Sequence, residues 1–236
     1  TFYAVRAHDI LRFQFSEEER IFIATEKIKL PSLCNSPDFI FYSSKNNTMF
    51  VSCCHGGMCG IQFNTCDDAD GLSEAKNNYN VIFVEKNCNV VIQAFSINQD
   101  IVARMEHMKT LTLYNTKTFS KEMELSIAFD CVFPVGENAL GLFWNSNEKK
   151  TQGIKFVNLK NEELSNYVFG QDMILKSPNF RWSSVPLENN STLLSIDSNF
   201  VLIDNINFNV KIYTNSPSMM ISKIFNIKFP IILLMN

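Results

Sequence analysis

A β-propeller is the fold that this all-β sequence predicts, and three observations support it. An apolar, alternating stretch that ends on an aromatic residue and then meets Asn or Thr occurs four times, at 61–65, 111–116, 154–158 and 210–215. The closing aromatic residues are Phe63, Tyr114, Phe156 and Tyr213, a loose spacing of about 40–60 residues that is typical of propeller blades. Short strand-like stretches fill each interval, and the 21 Phe residues favour half-buried strands.

The first part of the chain is predicted to be a lead-in segment followed by a meander. Residues 1–19 form the lead-in, and its acidic run at 17–19 is expected to be exposed. A lone strand at 20–24 is of the kind that completes the last blade of a propeller. Three further strands follow at 39–42, 49–54 and 58–63, with turns at 44–47 and 55–57, where Gly supplies the positive φ of a tight hairpin.

Three more repeats follow a polar loop at 64–79. Their predicted strands lie at 81–84, 90–95 and 111–114, then at 131–135, 139–144 and 153–157, and finally at 180–184, 192–196, 200–203 and 209–213. The segment 100–108 admits a helix, because Ile101, Met105 and Met108 have helical spacing and Asn98 suits an N-cap. A strand is favoured there.

No low-complexity linker interrupts the repeats, so residues 20–236 are predicted to form a single propeller domain. Four blades rarely close a ring, and we therefore expect an incomplete propeller of about four blades, truncated at its C-terminus. The apolar stretch 221–236 is broken by Lys223, Lys228 and Pro230. Its uninterrupted part is shorter than the roughly 20 residues of a membrane span, so a buried strand or part of a further blade is favoured.

Charge and cysteine usage narrow the class of protein. The formal net charge is −3, with both signs scattered along the chain, which argues against a nucleic-acid-binding surface as the main role. The seven Cys are an odd number, and Cys53, Cys54, Cys59, Cys88 and Cys131 lie in apolar stretches. Free, buried thiols in a reducing intracellular compartment are favoured over a disulfide framework.

Soft metal ligands cluster in the first repeat without the spacing of a zinc site. Cys54, His55, Cys59 and Cys66 lie close together in sequence, but common zinc sites place two Cys two to four residues apart on a knuckle. Core packing of the cysteines is favoured.

The loop at 64–79 holds half of a calcium-loop pattern. Asp68 and Asp70 suit two ligand positions, but Cys66 would stand at the first and Asn77 at the twelfth, where acidic ligands are wanted. A solvated loop is favoured, and no metal or other cofactor is predicted.

The sequence contains little that indicates a catalytic site. His8, His55 and His107 stand in no Ser/His/Asp or zinc-protease arrangement. Glu162 and Glu163 are adjacent, so in a strand their side chains would point to opposite faces and could not cooperate; an exposed turn is favoured. We predict a non-enzymatic protein, and an active site assembled from distant blades stays open as an alternative.

No partner-binding residue is assigned from the sequence. Lys149 and Lys150 are predicted at a hairpin tip, where solubilising charge is favoured over a contact to a partner protein. Trp144 and Trp182 are expected to pack between blades rather than to serve as exposed binding hot spots.

The repeats resemble those of WD-repeat propellers, but they lack the family's Gly-His pair and its Trp-Asp strand ending. Trp144 is followed by Asn, and Trp182 by Ser. The chain is therefore predicted to be a divergent, WD-repeat-like propeller.

Three short phrases resemble the N-terminal propeller of the cytoplasmic-face FG nucleoporin that docks the DEAD-box mRNA-export helicase. They are 12–15, where Arg12 replaces the family's Asp, 118–120 and 138–142. The resemblance covers about the first 160 residues. It implies a docking platform at the cytoplasmic face of the nuclear pore, with a DEAD-box RNA helicase and nuclear-pore subunits as partners. No helicase-contacting residue can be placed on this sequence.

The function predicted from the sequence is thus a non-enzymatic protein-interaction scaffold, with a nucleoporin that supports mRNA export as its named form. Rigid blades would fix the loops of one rim, which present a surface to a partner. The alternatives are a subunit of a vesicle coat, kinetochore or ubiquitin-ligase adaptor and, from another class, a calcium-binding or hydrolytic propeller.

Overall fold

The structure, a computed structural model, describes residues 2–6, 8–32, 34, 37–53, 57–64, 79–85, 91–106, 110–126, 131–146, 151–170, 182–187, 189–196, 199–214, 221–226 and 231–235. Within these ranges all helical or extended elements are β-strands, and they form six sheets. The chain divides into two units, Thr1–Ser126 and Ile127–Asn236. The single domain over 20–236 stays a prediction.

The first unit is built from three antiparallel sheets. Its strands are β1 (Phe2–Arg6), β2 (Asp9–Ser16), β3 (Ile21–Lys29), β4 (Pro37–Ser43), β5 (Thr48–Cys53), β6 (Met58–Phe63), β7 (Tyr79–Glu85), β8 (Val91–Ser96), β9 (Ile101–Glu106), β10 (Thr110–Asn115) and β11 (Lys121–Ser126). Consecutive strands pair, which gives sheet 1 (β1–β3), sheet 2 (β4–β7) and sheet 3 (β8–β11).

The second unit continues the same meander. Its strands are β12 (Cys131–Val135), β13 (Ala139–Ser146), β14 (Thr151–Asn158), β15 (Glu163–Val168), β16 (Trp182–Leu187), β17 (Ser191–Ile196), β18 (Asn199–Asp204), β19 (Val210–Thr214), β20 (Ile221–Asn226) and β21 (Ile231–Met235). They form sheet 4 (β12–β15), sheet 5 (β16–β19) and the two-stranded sheet 6 (β20–β21). The predicted C-terminal apolar strand is thus a hairpin.

Sheets 2 to 5 each have four strands and correspond to the four predicted blades. The boundary between the first two repeats was misplaced, because residues 81–84 belong to β7, the last strand of sheet 2, and not to sheet 3. The last strands of sheets 3 and 4, β11 and β15, were not predicted. Both alternate between exposed and half-buried residues and are rich in polar side chains, so the hydrophobic signal of an outer strand is weak.

A polar residue organises the turn between the third and fourth strands. Asn115 Oδ1 accepts hydrogen bonds from the backbone N–H groups of Lys117 and Thr118 at 2.9 and 3.1 Å. Asp204 repeats this pattern after β18. Asn158 caps a shorter turn after β14, where its Oδ1 accepts from the backbone N–H groups of Lys160 and Glu162. Such side-chain-capped turns are the reason for the Asn that ends the repeated phrase.

The fourth copy of the repeated phrase was assigned to the wrong strand. Phe63, Tyr114 and Phe156 lie within the last three residues of third strands and are buried, whereas Tyr213 lies on β19, a fourth strand, and is 44% exposed. In sheet 5 the third strand is β18, and its Ile203 is fully buried just before the turn residue Asp204, as Tyr114 is before Asn115. An aliphatic residue followed by Asp has replaced the aromatic–Asn pair in sheet 5.

Sheet 1 replaces the predicted lead-in and lone strand. Residues 1–19 contain β1 and β2, and β3 extends the strand predicted at 20–24 and pairs with β2. The β2–β3 turn follows the pattern of the other third-to-fourth turns, because Ser16 Oγ accepts from the backbone N–H of Glu19 at 3.2 Å, and Arg20 has φ of 55°. The three strands thus match the second, third and fourth strands of a blade.

Two cores stabilise the first unit. Sheets 1 and 2 enclose the first, in which the rings of Tyr3 and Tyr42 lie 5.4 Å apart and Tyr79 Oη accepts from the backbone N–H of Lys29 at 2.9 Å. Sheets 2 and 3 enclose the second, which is centred on Phe50 and Phe119. Face-to-face burial of neighbouring sheets is how a propeller covers both faces of each blade.

The core of the second unit lies between sheets 4 and 5. Phe133, Phe143 and Phe156 from sheet 4 are fully buried against Leu194 and Ile203 of sheet 5. The first strands β12 and β16 lie beside each other, and β20 lies beside β16. Neighbouring blades of a propeller have this relation, with their first strands innermost.

The segment that admitted a helix is strand β9. Asn98, the possible N-cap, instead organises a turn, since its Oδ1 accepts from the backbone N–H groups of Asp100 and Ile101 at 2.8 and 2.9 Å. An Asn side chain can cap a turn as readily as a helix, so its position alone could not separate the two structures.

Candidate functional site

The described turns of the first unit lie at one end of its sheets. They join first to second strands at 44–47 and 97–100, and third to fourth strands at 17–20 and 116–120. In an antiparallel meander these alternate connections share one edge of the blade, so we name this set of four turns the first-unit rim. Loops at such an edge are the usual binding surface of a propeller.

A hydrogen-bonded network joins the turns of sheets 2 and 3 at this rim. Ser43 Oγ donates to the backbone carbonyl of Gln99 at 2.7 Å, and the Gln99 side-chain oxygen accepts from the backbone N–H of Ser44 at 2.9 Å. Thr48 Oγ1 donates to the carbonyl of Thr116 at 2.7 Å, and Asn46 Nδ2 donates to Thr116 Oγ1 at 2.9 Å. The network fixes neighbouring blades and holds the rim turns rigid.

Thr116→Val should destabilise the first unit by about 1–3 kcal/mol, because the hydroxyl lies within the network. Thr116 is 1% exposed, and its Oγ1 donates to the Gln99 carbonyl at 2.7 Å. Valine has a similar shape but leaves this carbonyl and the Asn46 amide without that partner. Urea unfolding measures the loss, with the exposed Thr118→Val as the matched control. Equal stabilities of the two variants would contradict the role of the network.

The first-unit rim contains an ion pair between Lys45 and Asp100, whose carboxylate can be protonated in acid. Lys45 Nζ donates to Asp100 Oδ2, and Asn46 Nδ2 donates to Asp100 Oδ1 at 3.2 Å. The hydrogen bond from Lys45, followed by that from Asn46, holds the pKa of Asp100 below its ordinary value. Both bonds favour the charged carboxylate.

We expect the Asp100 contacts to lose their stabilising effect in acid. A carboxyl group with a lowered pKa stabilises the fold above its unfolded pKa of about 3.9, and this contribution is lost as pH falls through the lower folded value. Lys45→Met should raise the pKa of Asp100 towards its unfolded value, so the variant should be less stable near pH 5 and should lose less stability as the pH falls. Denaturant midpoints measured between about pH 5 and pH 2 test the shift; identical acid profiles for both proteins would contradict it.

The second unit has a related, smaller network between the turns of sheets 4 and 5. Thr192 Oγ1 donates to Asn205 Oδ1 at 2.8 Å and accepts from the backbone N–H of Gly136 at 3.2 Å. The backbone N–H of Asn205 donates to the carbonyl of Asn190 at 2.9 Å. Gly136 has φ of 59°, with the Asn205 side chain close beside it, so Gly suits the position.

The tip of the β2–β3 hairpin combines exposed apolar and acidic residues. Phe15, Ile21, Phe22 and Ile23 are 50%, 53%, 54% and 40% exposed. The rings of Phe15 and Phe22 pair at 5.2 Å, and the intervening turn carries the exposed acidic run 17–19. We call residues 15–23 the hairpin surface. Exposed apolar side chains that are bordered by charged residues are typical of a protein-binding surface.

These features were predicted only in part. The exposure of the acidic run 17–19 is confirmed, but its apolar neighbours were assigned to an ordinary strand. The rim network was missed, since its partners are distant in sequence; the only local signal was Thr116, which follows the turn residue Asn115.

The two predicted metal-ligand groups fall largely outside the described residues. Cys54, His55 and Cys66 of the first group do so, and Cys59 lies buried in β6. Asp68, Asp70 and Asn77 of the calcium-like loop also lie outside them. Among the residues that the structure describes, no group of three His, Cys, Asp or Glu could hold a metal ion.

The predicted burial of Cys53, Cys59 and Cys131 is confirmed, and Cys34 is a further buried, free thiol. Cys88 lies outside the described ranges, as Cys54 does.

The residues weighed for catalysis are not brought together. His8 is exposed and its carbonyl accepts from the backbone N–H of Leu30 at 3.1 Å, while His55 and His107 lie outside the described residues. Glu162 occupies the exposed turn before β15, as favoured, and Glu163 is the first residue of β15, where it pairs with Lys155 at 2.7 Å. The Glu162 carboxylate accepts from Asn158 Nδ2 at 2.7 Å, so each carboxylate has its own structural contact.

The remaining candidates are the two lysines predicted at a hairpin tip and the two tryptophans predicted to pack between blades. Lys149 and Lys150 lie outside the described residues, as does the side chain of Trp182. Trp144 is half-buried; its Nε1 donates to Asn166 Oδ1 at 3.1 Å, and its ring covers Gly153. These contacts are within sheet 4 and not between blades. None of the described segments forms a helix long and apolar enough to cross a membrane.

The fold is that of WD-repeat propellers. The chain aligns with Saccharomyces cerevisiae Sqt1 over 96% of its own length, with a TM-score of 0.62 and 9% identity. It aligns with the Neurospora crassa Pan2 WD40 domain over 94% of its length, with a TM-score of 0.60 and 9% identity. The chain spans 62% and 64% of these two structures. No protein-family model and no curated protein sequence matches it.

Proposed function

We propose that this divergent WD-repeat-like propeller is a protein-interaction scaffold that binds its partner at the hairpin surface. The observation behind this proposal is the apolar group of Phe15, Ile21, Phe22 and Ile23 around the acidic run 17–19. Burial of such side chains by a partner contributes about 25 cal/mol per Å² of apolar area. The rings of Phe15 and Phe22 already pack against each other in the free protein, which lowers the entropy cost of fixing these side chains on binding.

The named form of the proposal is a nucleoporin that supports mRNA export at the cytoplasmic face of the nuclear pore. Its partners would be nuclear-pore subunits and a DEAD-box RNA helicase. Two of the three phrases that support this form lie in the first unit. The phrase 12–15 is part of β2 and shares Phe15 with the hairpin surface, and 118–120 lies in the turn before β11.

Affinity purification from the native cell, followed by mass spectrometry, tests both levels of the proposal. The bait is the full-length protein, compared with an Ile21→Ser/Ile23→Ser double variant of the hairpin surface. Ile206→Ser is the matched control, because Ile206 is 67% exposed on the turn after β18. We expect partners that the control retains and the double variant loses.

The identity of the recovered proteins separates the two levels. Nuclear-pore subunits together with a DEAD-box helicase would support the nucleoporin form. Another assembly, such as a vesicle coat, would keep the scaffold and overturn the nucleoporin. Recovery unaffected by the double variant would remove the hairpin surface as the binding site, and recovery of no partner would overturn the scaffold itself.

A further inference from the structure

Strand β3 forms an outer edge of sheet 1. In the order β1–β2–β3 it pairs with β2 alone among the strands that the structure describes. Its residues 21–25 are all exposed, and this stretch contains neither a charged residue nor Pro. In an antiparallel strand the backbone N–H and C=O groups of alternate residues point away from the paired neighbour. A further strand could therefore pair with residues 21–25, which we call the β3 edge.

Two other outer strands show what distinguishes the β3 edge. Residues 121–124 of β11 include three exposed charged side chains, and charged residues on an edge strand are a common protection against strand addition. Strand β7 exposes the apolar Val81, Ile82 and Val84, but Glu85 is its only charged residue. The β3 edge combines an uncharged centre with charged residues on both sides of it.

The charges at the two ends of the β3 edge are opposite in sign. The acidic run 17–19 is exposed in the turn before the edge, and Lys27 and Lys29 are exposed after it. Lys27 pairs with Asp9 at 2.9 Å, yet its side chain remains 61% exposed. In an antiparallel pair of strands the start of one strand lies beside the end of the other. The β3 edge is therefore complementary to a second copy of itself.

We propose that two copies of this chain pair antiparallel along the β3 edge and form a dimer. Each copy contributes its three strands of sheet 1 to one continuous sheet, and a two-fold axis relates the copies. Edge pairing uses backbone groups and leaves both faces of the sheet open. The dimer thus goes beyond the proposed function and does not depend on it: the two hairpin surfaces lie side by side and offer a partner a doubled apolar surface.

Charge selects the register of the dimer. With the two-fold axis at Ile23, Arg20 of one copy lies opposite Glu26 of the other, and the acidic run comes beside Lys27. With the axis one residue earlier two glutamates would meet, and one residue later apolar residues of the edge would face charged ones. Thr25 is left out of the β2–β3 register, so the backbone ladder between the copies ends there and the charged residues beyond it meet through their side chains.

Sedimentation velocity of the chain over a range of protein concentrations tests the dimer. A short ladder gives a weak dimer, so we expect the mass to rise from one copy to two as concentration increases, and this rise to shrink in high salt. Ile23→Lys places like charges opposite each other at the axis and should abolish the dimer. Ile206→Lys, at a residue that is 67% exposed in the second unit, is the matched control and should leave it intact.

Two results of this experiment would overturn the proposal. One is a chain that stays monomeric at every concentration, which would leave the β3 edge to a strand of another protein. The other is an Ile23→Lys variant that dimerises as the wild-type protein does, which would place the dimer interface elsewhere. Ile23 is 40% exposed, so the variant should fold, and urea unfolding checks that it does.

A charge exchange tests the antiparallel register. Glu17→Lys/Glu19→Lys and Lys27→Glu/Lys29→Glu should each weaken the dimer about tenfold or more, because like charges then meet at both ends of the edge. An equimolar mixture of the two variants should dimerise again, since each contact then joins opposite charges. Such rescue also shows that both variants are folded, and a mixture that stays monomeric would overturn the proposed pairing.

The lysine variant separates the dimer from the proposed function. Lys27 and Lys29 lie outside the hairpin surface, so the affinity purification described above can be repeated with Lys27→Glu/Lys29→Glu as the bait. Failure of the dimer appears in the sedimentation experiment, whereas failure of the scaffold appears as loss of the purified partners. Each of the two proposals can therefore fail while the other stands.

Discussion

Phe119→Ala is expected to reduce the free energy of unfolding by about 3–5 kcal/mol, the range for loss of a buried aromatic ring. The ring is 1% exposed and lies between two others: its centroid is 6.3 Å from that of Phe50 and 6.0 Å from that of Phe83, both nearly parallel. It also covers Gly60, where an added Cβ would lie 2.6 Å from ring atoms. Removing it opens a cavity between sheets 2 and 3.

A second substitution at the same position separates packing from backbone conformation. Phe119 has φ of 57°, a region that costs an L-residue about 1 kcal/mol or more relative to Gly. Phe119→Gly removes the same ring, yet it should be less destabilising than Phe119→Ala. Urea unfolding measures both, with Phe22→Ala as the control because Phe22 is 54% exposed. Equal losses for Phe119→Ala and Phe22→Ala would contradict the packing role.

The strands that the sequence predicted well are those whose side chains are buried. β5, β6, β12 and β13 are nearly continuous runs of buried residues, so their apolar pattern is strong. The outer strands β11 and β15 have one face in solvent and carry Lys, Glu, Asn and Ser. Without two buried faces they lose the hydrophobic signal, which is why the sequence did not predict them.

The repeat pattern identified the blades but not every position within them. Asn115 and Asn158 end third strands because a side-chain oxygen must accept two backbone N–H groups in the following turn. In sheet 5 Asp204 has this role, and an Asp carboxylate meets the same requirement as an Asn amide. A search for aromatic–Asn or aromatic–Thr therefore selected Tyr213, although it belongs to the neighbouring strand.

The candidate site was less predictable than the fold, for a geometric reason. The rim network depends on Ser43 meeting Gln99 and on Thr48 meeting Thr116, and only the docking of two sheets brings these residues together. The hairpin surface depends on exposure: Ile21, Phe22 and Ile23 read as core residues in the sequence, yet each is at least 40% exposed. Periodicity reports which residues could be buried, and not whether a neighbouring sheet covers them.

Gly153→Ala should destabilise the second unit by about 1–3 kcal/mol, the usual effect of overpacking. Gly153 of β14 lies opposite Trp144, and an added Cβ would lie 2.2 Å from the Tyr167 carbonyl oxygen and 2.6 Å from the Trp144 ring. The carbonyl belongs to the paired strand β15 and cannot move without disturbing the ladder between β14 and β15. The indole would also lose its close contact with the Gly153 backbone, a packing that aromatic residues use over strand glycines.

The same substitution at Gly170 is the matched control, since an added Cβ there would meet nothing within 4 Å. Gly170→Ala should leave stability unchanged or raise it by about 0.4–1 kcal/mol, because Ala restricts the unfolded chain. Urea unfolding of both variants gives the comparison, and Trp fluorescence should report a disturbed Trp144 only in Gly153→Ala. Stability changes of opposite sign in the two variants would follow from the different space around Gly153 and Gly170. A neutral Gly153→Ala would mean that β14 and β15 can separate to admit a methyl group, contrary to the close packing seen around Gly153.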